Sequence, residues 1–439
     1  MRALVPIPWF LGCSGPTDSG EVADCARVDS TVGSIVHACW EQPSTGTVNL
    51  HYRVAGEDWR PTLMAQLDAG KQELPLLGLP YGATVDWYVQ GSQGDRLAEG
   101  NTATDPLPDG LPEIEILADV PDLHDPSMNY LLASIDEPSE VGTPEASWTI
   151  VFDRQGRIVW ALPTPSQRLT LHPRVARDGK AFLIDLNSHF GIFDRGAASR
   201  VQRVTVLGTV EASWDTPGLH HPFTDTNDGS LAWGAWGEDL ETIEVLDVDG
   251  NQRTLWDCTD FHEERDAAGT SCSSNTLAWD PTTDRYLFSS YTTHTVVEID
   301  GDNGETTRWF GQMPDGWAFD PDESEFIWQH GAHFTEQGTL LVSARRSTEI
   351  EETVIREYEL DEDSDTLRQI WSFGQDQGIF APELGEAHRL PRGNTLHNYG
   401  TAARIREVTP EGEVVWDVGF FQGSWLGRTT PIANLYDLL

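Results

Sequence analysis

Short apolar runs cut by turn residues fill the chain, and almost nowhere do apolar positions recur at the 3.6-residue spacing of an amphipathic helix. From residue 30 to 104 the segments SIVHACWEQP, TVNLHYRV and QELPLLGLPYGATVDWYVQG alternate in polarity and stop at Gly, Pro or Ser. That pattern predicts a small antiparallel β-sandwich. DPLPDGLPE opens a Pro-rich stretch, and residues 105–128 are expected to be a linker.

The remainder, 129–439, repeats. A strand, an acidic or Gly-containing turn and a strand ending in Trp recur as TIVFDRQGRIVW, VLDVDGNQRTLW, VVEIDGDNGETTRW, EYELDEDSDTLRQIW and REVTPEGEVVW, with VTVLGTVEASW as a degenerate copy. The tryptophans fall at 160, 214, 256, 309, 371 and 416, a mean spacing of about 51 residues, which matches four-stranded propeller blades. The expected fold is all-β: an N-terminal fibronectin III-like β-sandwich followed by a six-bladed β-propeller. Only NYLLASI precedes the first Trp hairpin, so the C-terminal strand within GRTTPIANLYDLL is expected to complete the first blade and close the ring. DTNDG, DVDGN, DGDNGE and DEDSD fall at predicted hairpin turns and lack the full spacing of an EF-hand loop.

Composition narrows the partners. Net charge is -43, and only Lys71 and Lys180 carry an ammonium among 28 basic residues, a surface that repels phosphate backbones and argues against nucleic acid. No run of about 18 apolar residues is present, so no membrane span is expected. The start, MRALVPIPWFLGCSG, is similar to a bacterial lipoprotein signal over residues 1–13, with Cys13 as the lipidated residue and 14–29 as a tether. On that reading the protein is exported to the periplasm or cell envelope and meets a membrane only through its lipid. Of the other cysteines, Cys25 with Cys39 and Cys258 with Cys272 is the most local of three connectivities, as an oxidising compartment favours. The pattern fixes no oligomeric state.

The strand after each Trp starts the next blade and lies innermost in a propeller. Those starts carry His172, His220 and His221, Ser273 to Asn275, His330, His388 and Arg428. Imidazoles and guanidinium groups gathered at one end of a channel suit an anionic ligand whose charge is neutralised away from water. His37, His51 and His124 lie outside the ring, HFGIF around His189 reads as strand, and Trp317, Phe319 and Trp328 read either as an aromatic slot or as packing.

From about residue 114 onward the chain resembles the bacterial arylsulfotransferases. The stretches that carry the resemblance are GLHHPFTDTNDGSLAWGA, SSNTLAWDPTTDRYLFSSYTTHTVVEID, WQHGAHFTEQGTLLVSAR, VIREYELDEDSDTLRQIWSFG and RLPRGNTLHNYGTAARIREVTPEGEVVW. The resemblance implies transfer of a sulfuryl group from an aryl sulfate ester to a phenol without a nucleotide sulfate or other organic cofactor, and it leaves room for one structural calcium ion. It implies His330 as the nucleophile that becomes a sulfohistidine, His221 or its neighbour His220 as the proton carrier, and Arg345 or Arg346 on the sulfate oxygens. His172, Asn275, Arg404, His397 and Arg428 are the remaining expected substrate contacts; no catalytic metal ligand is implied.

Two departures accompany it. Ser273 stands where the resemblance calls for histidine, and Arg404 occupies another histidine's place, with His397 nearby as a substitute. Each exchange removes a proton carrier. A non-catalytic lipoprotein that binds a ligand or protein on the same face is the alternative, and a lyase or hydrolase acting on an acidic or phenolic metabolite is a third.

Overall fold

The computed structural model describes residues 26–136, 146–237, 241–265, 270–421 and 424–439. Cys13 and Cys25 lie outside them. Two antiparallel sheets form the first unit. Arg27–Val28, Val36–Gln42 and Gly70–Leu76 make one; Arg60–Pro61, Gly46–Val54, Thr84–Gly91 and Arg96–Ala103 make the other, with Ala65–Leu67 also paired to Gly46–Val54. Every second residue turns inward, as the two-residue period of a strand requires: Val48, Leu50 and Tyr52 on one strand, Val85, Trp87 and Val89 on the next.

Six sheets of four or five strands follow in sequence order. Their innermost strands are β1 (Arg174–Val175), β2 (Leu219–Asp225), β3 (Ser274–Asp280), β4 (Ile327–Phe334), β5 (Glu386–Arg389) and β6 (Trp425–Ile432). β2 packs on β3, β3 on β4, β4 on β5, and β6 on β1. β6 is the last strand of the chain, yet it pairs antiparallel with Tyr130–Asp136 and so belongs to the first sheet.

The repeated tryptophans join neighbouring sheets. Trp160 meets Phe182 of the second sheet at 5.0 Å between centroids, Trp256 meets Phe288 of the fourth at 4.9 Å, and Trp416 returns to Phe152 of the first at 6.2 Å. Trp371 lies under the Arg389 guanidinium of the sixth sheet at 4.6 Å. The indole N–H groups of Trp160, Trp371 and Trp416 donate to the carbonyls of Val206, Pro410 and Arg154, and that of Trp256 donates to Thr306 Oγ1, each on the following sheet. Each tryptophan therefore buries a large ring and satisfies its one donor in the same place.

Sandwich and ring share one apolar cluster, in which Tyr52, Leu76 and Trp87 join Trp160, Phe182, Tyr436 and Leu438. The Leu77 backbone N–H donates to the Tyr436 hydroxyl at 3.0 Å and Ser34 Oγ donates to the Val159 carbonyl at 2.7 Å.

Two expectations need correction, and one open reading is decided. Within the expected linker, Glu115–Asp119 is a strand paired with Val414–Gly419 of the sixth sheet. Ile114 and Ile116 pack against the cluster around Trp416 and Ile405, so the segment covers that sheet's outer edge. His189–Ile192 is a helical turn rather than a strand, because the Asp194 carboxylate accepts the Ser188 hydroxyl and the Gly196 and Ala198 N–H groups and folds the chain back. Trp317, Phe319 and Trp328 are occupied by packing: Trp317 meets Phe310, Phe319 meets Phe326, and Trp328 meets His294.

Cys258 and Cys272 form a disulfide, and Cys39 is disulfide-bonded as well. Among the described residues no helix is long and apolar enough to cross a membrane. The acidic turns close on themselves: Asp247 Oδ1 accepts the N–H groups of Asp249 and Asn251 at 2.9 and 2.8 Å.

Because β6 supplies an inner strand of the first sheet from the far end of the chain, a chain ending before Trp425 leaves the edge of Tyr130–Asp136 unpaired. Such a truncation is expected to lose the cooperative thermal transition and to associate, read by circular dichroism and size-exclusion chromatography.

Candidate functional site at the ring axis

The first halves of the inner strands line one space and their second halves another. A chamber of about 340 Å³ is lined by Leu171, His221, Ser274, Asn275, Tyr291 and His330 among others. A second, of about 510 Å³, is lined by His172, Arg174, Thr276, His333, His388 and Arg428 among others. Consecutive residues face opposite spaces: Leu171 and His172, His221 and Pro222, Asn275 and Thr276, His330 and Gly331. The septum between the chambers is thus built from neighbouring pairs on β2, β3 and β4 and on the chain just before β1.

His330 sits where β4 departs from regular pairing on both sides, between Ile327 and His330 and again between His330 and His333. Trp328 with φ +46° and Gly331 with φ +65° flank it, and these left-handed residues turn the imidazole inward. Gly331 is required for a second reason: a Cβ there would lie 2.6 Å from Glu386 Cβ and 2.7 Å from Arg428 Nη1. Burial, followed by the charge of Arg428, lowers the His330 pKa to about 3, so the ring is neutral. A hydrogen bond to the Trp328 backbone occupies one ring nitrogen and leaves the lone pair of the other available.

His220 and His221 form the facing wall, their rings 4.0 Å apart. His220 Nδ1 is 2.6 Å from Oε1 of the buried Glu241 and 3.1 Å from His221 Nδ1. The two Nδ1 atoms share one hydrogen bond, so one of them carries the proton and the other accepts it. Burial and the neighbouring imidazoles hold the His221 pKa well below the ordinary histidine value. Phe190 stacks against His220 and His221 with centroids 5.4 and 4.8 Å away, and Leu169, Leu384 and Trp425 complete an apolar wall.

Three asparagines hold these positions. Asn187 Nδ2 donates to the His220 carbonyl at 2.8 Å, Asn275 Nδ2 to the carbonyl of Gln329 beside His330 at 2.5 Å, and Asn398 Nδ2 to the carbonyl of Gly427 beside Arg428 at 2.6 Å. Asn275 lines the chamber, but its amide N–H is thereby committed to positioning.

Arg428 closes the septum from the other side. Nη2 donates to the Asn275 carbonyl at 2.9 Å and to Thr276 Oγ1 at 2.6 Å, Nη1 pairs with Glu386 Oε2 at 3.3 Å, and Nε lies 3.4 Å from His172 Nε2. Glu386 is buried, a cost to its charge, but His388, Arg428 and the Thr429 N–H hold its carboxyl well below the usual range. Arg428 therefore fixes a full positive charge on the axis while its donors point into the protein.

The structure brings His220, His221, Asn275 and His330 to one chamber and His172 and Arg428 to the other. The remaining four expected residues are at neither, and each has a local reason. Arg345 stacks over Trp328 at 4.8 Å and Phe380 at 5.3 Å and donates to the Thr348 carbonyl. Arg346 pairs with Glu352 at 2.6 Å and Asp376 at 2.7 Å on the outside. Arg404 makes a two-pronged bond to Asp417 at 2.7 and 2.6 Å. His397 is buried between the fifth and sixth sheets against Ser343 Oγ at 3.0 Å. Glu241, Tyr291 and Glu386 were not singled out by the sequence, because carboxylates and hydroxyls in turns and strand ends are too common to signal a site.

The profile of the family described as Arylsulfotransferase (ASST) matches residues 126–417. No curated protein matches the chain. Among solved structures, a protein of unknown function from Bacteroides caccae is 14% identical over 70% of this chain and 100% of its own, with a TM-score of 0.47. The virginiamycin B lyase from Staphylococcus aureus is 11% identical over 73% of this chain and 99% of its own, with a TM-score of 0.39. A streptogramin B lyase is 12% identical over 70% and 98%, with a TM-score of 0.36. At these identities the likenesses say nothing about chemistry.

Two outcomes are expected. Gly331→Ala forces a β-carbon against Glu386 and Arg428 at a left-handed position and should cost about 1–3 kcal/mol in stability, read by chemical denaturation. Burial lowers the pKa of His172, His189, His221, His330, His333 and His397, to about 4 for His189 and His333 and about 3 for His330 and His397. Between pH 6.5 and 4 the unfolded chain then binds more protons than the folded one, so stability rises with pH across that range. Asp136, Asp185 and Glu325, raised by burial, act the other way but are fewer. The melting temperature should fall steadily on acidification from pH 6.5 to 4; a maximum inside that window would contradict the buried neutral imidazoles.

Proposed function

Because the chain belongs to the arylsulfotransferase family, we propose that it moves a sulfuryl group from an aryl sulfate ester to a phenolic acceptor through a covalent intermediate on His330. The observation that carries this reading is a neutral imidazole, oriented by a backbone hydrogen bond, at the wall of an apolar chamber on the ring axis. A histidine with an ordinary pKa is partly protonated near neutrality and to that extent has no lone pair to offer; His330 offers one at any pH above about 4.

The free ring nitrogen attacks sulfur, an S–N bond forms, the S–O bond to the aryl group breaks, and the phenolate departs with the bonding electrons. The transition state is loose and spreads negative charge over three sulfuryl oxygens, so positioned donors do most of the work. His221, which carries one N–H in its neutral form, lines the chamber and supplies a donor to those oxygens. Arg428 adds its charge from behind the septum. In the second half a phenol oxygen attacks sulfur, the S–N bond breaks, and His330 is regenerated.

The architecture belongs to the same proposal: a fibronectin III-like sandwich at 30–104 beside a six-bladed propeller, with Cys13 as a lipid anchor in the cell envelope. The alternative of a non-catalytic binding protein draws on one observation. Ser273 lines the chamber where the family resemblance calls for a histidine.

A chromogenic aryl sulfate and a phenol acceptor distinguish the two. Wild type is expected to transfer the sulfuryl group, and His330→Ala to lose at least about 10³-fold in turnover. Mass spectrometry of acceptor-starved wild type should find the sulfuryl group on His330. Wild type that transfers nothing beside an active control would overturn the sulfotransferase reading, and full activity in His330→Ala would overturn the nucleophile.

A further inference from the structure

The transfer just proposed leaves a proton unassigned. A phenolate expelled from an unactivated aryl sulfate is a strong base, with a conjugate acid near pKa 10, and its departure is eased by an acid of similar strength beside it. The imidazoles of the chamber are poorly suited. His330 is the nucleophile, His221 is kept neutral by burial, and His220 Nδ1 is engaged with His221 Nδ1 beside Glu241.

Tyr291 remains. It follows the second strand of the fourth sheet, Arg285–Ser290, and its backbone N–H donates to the Ser273 carbonyl at 2.8 Å, which fixes where the side chain starts. The phenol ring lies 5.3 Å from the His330 ring, tilted by 57°, and lines the same chamber. No residue among those described hydrogen-bonds its hydroxyl. A hydroxyl on the chamber lining without a protein partner is suited to a ligand's oxygen atom.

We propose that the Tyr291 hydroxyl protonates the departing phenolate and, as the tyrosinate, takes the proton of the incoming phenol. The proton balance closes without another participant. In the first half the Tyr291 O–H bond breaks as an O–H bond forms on the leaving group, which departs as a neutral phenol. In the second half the acceptor's proton returns to Tyr291 as its oxygen attacks sulfur, so the proton lost by the acceptor replaces the one carried away by the donor's phenol.

The surroundings support a tyrosine that keeps its proton at rest and releases it on demand. Burial, then the Glu383 carboxylate at the chamber wall, hold its pKa above the ordinary value, while the charge of Arg345 acts the other way and favours the tyrosinate. Arg345 thereby acquires a use in its observed place: seated on Trp328, it steadies the charge that appears on Tyr291.

This inference rests on the sulfotransferase reading, and the test separates the two. First-half rates, read as phenol release in a single turnover, are compared for phenyl sulfate and 4-nitrophenyl sulfate in wild type and Tyr291→Phe. The nitrophenolate is a weak base that leaves without an acid. Tyr291→Phe is therefore expected to slow phenyl sulfate by about 10²-fold or more and 4-nitrophenyl sulfate by no more than about threefold. Equal slowing of both donors would assign Tyr291 a packing role and overturn the proposal, as would no slowing of either. Failure of wild type with both donors would instead remove the sulfotransferase reading on which it stands.

Discussion

Four of the six repeated tryptophans are shared between two sheets, and the ring depends on that sharing. An indole has one donor and a large apolar surface, and in Trp160, Trp256, Trp371 and Trp416 the following sheet takes the donor and offers a ring or a guanidinium to the surface. Trp416 repeats the contact back onto the first sheet, and β6 then pairs with Tyr130–Asp136. Closure brings the six inner strands to one axis. Trp309 shows the exception: its indole donates to Pro314 in its own loop, next to the extra strand Ala318–Asp320 of the fifth sheet.

The axis solves a charge problem. A chain of net charge -43 would repel an anionic donor, and a fully basic pocket would have to compete with that field. Instead the His330 chamber is largely uncharged, with neutral imidazoles and apolar walls. Low polarity strengthens the few dipoles that remain and leaves His330 unprotonated. The one buried guanidinium on the axis, Arg428, is balanced by Glu386, which limits the cost of burying either charge.

Positioning comes from amides rather than from catalytic groups holding one another. Asn187, Asn275 and Asn398 each reach across to an inner-strand carbonyl at or beside a site residue. Gly331 lets β4 approach Glu386 and Arg428, where any side chain would collide. The chemistry is therefore supported by backbone geometry that a change of loop length on the surface leaves intact.

The repeat was legible in the sequence because a shared tryptophan must recur once per sheet, and strand periodicity is a local property. The histidines of β2 and β4 were legible for the same reason: the position after each Trp is an inner strand wherever the ring closes. Direction within a strand was not legible. His172 and Arg428 belong to the opposite chamber because they lie past the point along the inner strands where the lining changes from one chamber to the other, and no spacing shows where that point falls. Arg345 and Arg346 carry the charge the chemistry invites, but Trp328 and Glu352 with Asp376 claim them. Tyr291 was invisible because an unpartnered hydroxyl is defined by what fails to surround it. The sequence determined how many strands come to the axis; only the closed ring decided which side chains face each other there, since those contacts join residues on different sheets, as Tyr291 with His330 and Arg428 with His172.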